Sequence, residues 1–115
     1  MEFQHTGRDF ELTDAIRAYA EDKLGKACVQ IERYGATTLH VTYEREGHAH
    51  HGLNQVVHAV LFVPNHEPLT VRDQEPDLYA AIDRAAKQLE RQVHRYCQKH
   101  QGAERARQVK GRSEA

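Results

Sequence analysis

The chain is poor in the residues that anchor chemistry or cross-linking: it has two cysteines, three prolines, one methionine and a single serine, Ser113. Cys28 and Cys97 lie far apart and form no CxxC pair, so free buried thiols are expected rather than a disulfide or a zinc site. With its one serine close to the end and no glycine-rich phosphate loop, the sequence assembles no nucleophile with its base. Neither an enzyme, nor a cofactor, nor a small-molecule substrate is expected. No apolar run approaches the roughly 20 residues that cross a bilayer. The start, MEFQHTG, lacks the basic and apolar segments of a secretory signal. A cytoplasmic protein without a membrane partner is therefore expected.

What is present is a chain of 115 residues, 39% hydrophobic and 29% charged. That length suits one compact domain with a small core. The formal net charge of -1 conceals a polarised molecule. Residues 1–83 hold 7 Lys and Arg against 14 Asp and Glu, whereas residues 84–115 hold 9 against 3. Such asymmetry points to a surface that meets a polyanion, or more simply to a solvated helix followed by a basic tail.

Hydrophobic periodicity sorts the chain into alternating element types. MEFQHT reads as a short strand that ends in a turn at Gly7, Arg8 and Asp9. A helix follows over about 13–28, capped by Thr13, with Leu12, Ile16, Tyr19, Ala20, Leu24 and Ala27 on one side. TTLHVTYE alternates as a half-buried strand does, and NQVVHAVLFV reads as a more buried one; REGHAHHGL connects them as a hairpin. PLTVRD supplies a fourth strand, and Asp77 caps a closing helix of about 24 residues. The fold class is α+β in the order β-α-β-β-β-α: a four-stranded sheet with two helices packed on one face. Residues 1–100 form the domain, and 101–115 are expected to be a flexible basic tail.

On a helical wheel the closing helix separates into two faces. Leu78, Ile82, Ala85, Ala86, Leu89, Val93, Tyr96 and Cys97 share one sector, while Arg84, Lys87, Arg91, Arg95 and Lys99 share the opposite one. A solvated face normally mixes signs, with Glu placed four residues before Lys. This ridge does not. Five cations in one row repel one another unless an anionic partner covers them, which favours a phosphate-binding surface.

PDLYAAIDRAAKQLERQVHRYCQKH resembles the closing helix of the bacterial hibernation-promoting factor and ribosome-associated inhibitor A family, whose mark is an acidic residue, Met or Leu, YAAID, and then a Lys/Arg-rich helix. TGRDFELTDAIRAYAEDKL is similar to that family's turn glycine and Thr-started first helix. The likeness covers about residues 1–100, and the chain resembles the short form, which has no second domain.

The resemblance implies a fold similar to double-stranded RNA-binding domains. It further implies docking on the small ribosomal subunit, in the channel used by messenger and transfer RNA, so that translation stops without chemistry. The ribosomal RNA contacts it implies are Lys23 and Lys26 of the first helix, with Arg84, Lys87, Arg91, Arg95 and Lys99 of the second. Lys23 falls within the apolar sector of its own helix, so either its stem runs along the core to an edge or the helix is turned by a fraction of a turn. A monomer when free is expected.

Two alternatives come from other classes. Relatives described as modulators of an alternative sigma factor imply a protein-binding regulator. His48, His50 and His51, with His58 and His66 further on, suggest a metal-binding loop, although HAHH lacks the helical pairing or Cys partner that makes such motifs specific.

Overall fold

The computed structural model describes residues 1–35, 37–46 and 54–113, with side chains through His100. Its elements are β1 (Glu2–Arg8), α1 (Asp14–Ala27), a 3₁₀ turn (Val29–Tyr34), β2 (Thr38–Arg45), β3 (Gln55–Phe62), β4 (Leu69–Glu75) and α2 (Leu78–Ser113). The four strands lie in the order β1-β2-β3-β4. β1 runs parallel to β2, as a crossover through α1 requires, and the remaining pairs are antiparallel. The order β-α-β-β-β-α is the one the sequence predicts.

Register turns the alternation of the strands into two faces. Leu39, Val41 and Tyr43 of β2 stand opposite Leu61, Ala59 and Val57 of β3, and all six are essentially closed to solvent. The intervening Thr38, His40 and Thr42 stand opposite Phe62, Val60 and His58 on the open face. A slip of one residue would exchange the two sets, so burial itself specifies the pairing. Ile16, Ala20 and Leu24 of α1 join Ile82, Ala85, Leu89 and Val93 of α2 and the inward strand residues in one hydrophobic cluster, which puts both helices on the same face of the sheet.

Local chemistry sets the helix starts. The Thr13 hydroxyl accepts from the Ile16 amide at 3.2 Å, and the Asp77 carboxylate accepts from the Ala80 amide at 3.3 Å. Each cap is worth about 1 kcal/mol. After β1 the backbone folds back so closely over the strand's end that a Cβ on Gly7 would sit 2.4 Å from the Phe10 carbonyl oxygen; only glycine fits there. Both cysteines are free and buried. Burial pushes the Cys28 thiol up to about 12, so it serves as a small packing group.

Three features differ from the sequence reading, the first being that β1 runs on through Gly7 and Arg8, expected in a turn, because both pair with Tyr43 and Glu44 of β2. The 3₁₀ turn at Val29–Tyr34 buries Ile31 and closes at Gly35, whose φ of 124° suits a residue without a Cβ. The closing helix also does not stop near residue 100. Its last buried residues among the described side chains are Tyr96 and Cys97, yet α2 runs on to Ser113. Residues 101–113 are rich in Gln, Ala, Glu, Arg and Lys, whose unbranched side chains lose little freedom in a helix.

Candidate nucleic-acid interface

The surface opposite the open sheet face is built from the seam between α1 and α2. Tyr19 of α1 donates its hydroxyl to Asp83 Oδ1 of α2 at 2.7 Å. This hydrogen bond is the main reason that the Tyr19 phenol is pushed up to about 12. The Tyr79 ring meets Tyr19 edge to face, with centroids 4.8 Å apart. Asp83 of the YAAID motif thus ties the helices together at the start of α2.

One turn further along α1, Lys23 is half-buried and its Nζ lies 5.6 Å from the Tyr19 ring centroid. That settles the two alternatives for Lys23: its stem follows the seam and its ammonium emerges over an aromatic face at the rim. Lys23, Lys26 and Lys87 then line one groove of about 390 Å³ together with Asp83 and Glu90. Helices far apart in sequence therefore present their cations together.

The five cations of the α2 ridge are all exposed, but they are not equivalent. Arg84 Nε lies 2.9 Å from Glu75 Oε1 of β4, so the first member of the ridge is tied to the sheet. Beside that pair, desolvation and then the Glu75 charge raise the Asp73 carboxyl above the usual carboxylate range. Lys87, Arg91, Arg95 and Lys99 have no ion-pair partner among the described residues. At 1.5 Å per residue, Arg84 to Lys99 covers roughly 22 Å. Lys26 pairs with Asp22 at 3.3 Å in an exposed i,i+4 contact. Such pairs are worth about 0–1 kcal/mol and yield readily to a stronger anion.

The seven cations expected to contact RNA therefore occupy the two-helix side of the molecule, with Arg84 and Lys26 already partnered. Sequence reasoning did not assign His94, His66, Gln88 or Gln92 to the flanks of the ridge. His94 joins Gln30, Lys87, Glu90 and Arg91 around a groove of about 350 Å³ on the α1 side. Its signal was legible, because it follows Arg91 by three and so shares that flank. On the other side, His66 of the turn after β3 comes beside Gln88 and Gln92 of α2. No local spacing announces that meeting.

His48, His50 and His51 lie outside the described residues. His58 sits on the open face opposite Thr42 and Arg72, whereas His66 borders α2, so these two histidines belong to different sides of the molecule. Among the described residues no three metal-ligating side chains gather, and no helix is long and apolar enough to cross a membrane.

The chain and its fold are similar to those of known proteins. Residues 3–101 match the profile of the family described as sigma 54 modulation protein / S30EA ribosomal protein. A ribosome hibernation promotion factor of Lactococcus lactis subsp. cremoris (strain MG1363) is 33% identical over 96 residues, spanning 84% of this chain and 49% of the relative. A ribosome hibernation promoting factor of Azotobacter vinelandii is 30% identical over 99 residues, spanning 86% of this chain and 85% of the relative. The chain thus covers about half the length of the first of these relatives and most of the second. Among solved structures, the N-terminal domain of Thermus thermophilus Protein Y superposes with a TM-score of 0.68 at 34% identity, covering 84% of this chain and 99% of that one. A ribosomal subunit interface protein from Coxiella burnetii shares the fold, with a TM-score of 0.65 at 22% identity over 84% of this chain and 97% of that one.

Proposed function

The chain belongs to the sigma 54 modulation protein / S30EA ribosomal protein family, and from that premise we propose that it is a ribosome hibernation factor that docks its two-helix face on the RNA of the small subunit. The family is one of ribosome hibernation factors and not of enzymes, so the protein acts by occupancy. Seated in the channel used by messenger and transfer RNA, it blocks translation and preserves idle ribosomes in the cytoplasm.

The observation that carries this reading is the row Lys87, Arg91, Arg95 and Lys99, exposed and without carboxylate partners among the described residues. Across the seam it meets Lys23 and Lys26 in a shared groove. A row of like charges along one helix suits a run of RNA phosphates, and proteins recognise A-form RNA mainly by shape and backbone. Release of counterions from the RNA then drives binding.

Cosedimentation with purified small subunits across a salt series tests the reading. Binding should fall linearly on a log–log plot against salt, with a slope near 0.7–0.9 for each phosphate neutralised. A protein that stays in the supernatant at low salt, or binds with no salt dependence, would sink it. Capture of a protein partner in place of subunits would favour the sigma-factor class instead.

A further inference from the structure

We propose that the flank of α2 facing β4 seats one unpaired nucleotide of an RNA strand, a refinement that rests on the ridge docking on RNA. The ridge by itself explains phosphate contacts, which position a protein on RNA but make no contact with the bases. It does not explain the hollow beside it. That hollow, between α2 and the turn joining β3 to β4, has a volume of about 380 Å³. Sites of a few hundred Å³ suit a ligand the size of a nucleotide.

The lining divides as a nucleotide divides. Arg91, Arg95 and Lys99 supply cations for phosphates on either side of the base. Gln88 and Gln92 stand one turn apart on the same flank. Each amide is anchored through its nitrogen, Gln92 Nε2 to the Thr70 carbonyl at 2.9 Å and Gln88 Nε2 to Asp73 Oδ1 at 3.4 Å. Their carbonyl oxygens remain as acceptors for a base edge. His66 is exposed and set edge-on to the Tyr96 ring with centroids 5.0 Å apart, so its outer side offers a face on which a base can stack. Base–aromatic stacking tolerates any base identity, whereas a fully paired duplex keeps its bases stacked inside and cannot supply one.

The consequence is a preference that a phosphate ridge alone would not show. The test uses the full chain and two fluorescently labelled RNAs: a duplex of about 16 base pairs, and the same duplex with one central unpaired adenosine. Fluorescence anisotropy should give tighter binding to the bulged RNA by at least about fivefold. His66→Ala combined with Gln88→Ala should abolish that preference and leave duplex affinity within about twofold. His66→Ala alone, in an exposed turn, should reduce the preference without touching the core. Lys87→Glu, which lies outside this hollow, should weaken binding of both RNAs alike. Equal affinity of the parent protein for the two RNAs, or a preference that survives both His66 variants, overturns the nucleotide site. Binding to neither RNA overturns it as well, and cosedimentation with small subunits then decides separately whether the ridge reading stands.

Discussion

The two broad surfaces of this protein handle charge in opposite ways. On the open sheet face Arg72 is held by Glu46 at 3.0 Å, and Gln74 donates to the same carboxylate at 2.7 Å. Val56 is closed to solvent there despite facing away from the helices. On the two-helix face the cations from Lys87 to Lys99 have no such compensation among the described residues. A face that neutralises itself is finished by folding. A row of one sign is held in place by the sheet and core behind it, which bear the repulsion, and it is completed by whatever anion arrives.

The comparison breaks first at the ridge. Lys87→Glu with Arg91→Glu should lower small-subunit binding and translation inhibition by at least about tenfold and flatten the salt slope. Both side chains are exposed, so the circular dichroism spectrum and thermal stability should match the parent. The matched change on the other face, Arg72→Gln, should leave subunit binding within about twofold. Arg84→Gln should fall between, because Arg84 is already shared with Glu75. Equal losses at Arg72 and Lys87 would abolish the distinction between the faces.

A second prediction sharpens the comparison at its hinge, the α1 side of the seam. α1 continues through Gly25, where an added Cβ would meet only the Phe3 ring at an ordinary 3.5 Å. Gly25→Ala should therefore stabilise the protein by about 0.5–1 kcal/mol through helix propensity. Chemical denaturation reads the gain, and subunit binding should hold or improve. A loss of stability would show that Phe3 cannot accommodate the methyl group.

A third prediction concerns the junction of the two faces, where Asp73 is raised by desolvation and by Glu75. A carboxyl whose folded value lies above its unfolded one favours the folded state at acid pH, and that contribution is lost as pH rises through the folded value. Asp73→Asn should then raise the melting temperature at pH 7. The difference should shrink as pH falls toward the ordinary carboxylate value of 3.8. A gain that is the same at both pH values would remove ionisation as its cause.

The smallest effect is expected at the end of the chain. The last buried side chains among the described ones are Tyr96 and Cys97, and we propose that the packed domain ends near His100. Truncation after His100 removes Arg105, Arg107, Lys110 and Arg112. It should leave the melting temperature nearly unchanged while weakening RNA binding modestly and only at low salt. A drop of more than a few degrees would show that residues 101–115 pack.

The sequence by itself determined whatever depends on neighbours along the chain. Alternation in TTLHVTYE chose the buried side of β2, Thr13 and Asp77 marked the helix starts, and the spacing of Leu78, Ile82, Leu89 and Val93 against Arg84, Lys87, Arg91, Arg95 and Lys99 divided α2 into a packed face and a charged one. These are one-dimensional periodicities, and an amphipathic element displays them before it meets any partner. Tertiary structure alone decided how charges and aromatics from distant segments met. It turned Lys23 along the seam over Tyr19, gave Arg84 to Glu75, and carried His66 from a turn to the flank of Gln88 and Gln92. Those meetings depend on how helices are set against a registered sheet. A shift of one residue in β3 or a fraction of a turn in α1 would move each by several ångströms without disturbing any local pattern.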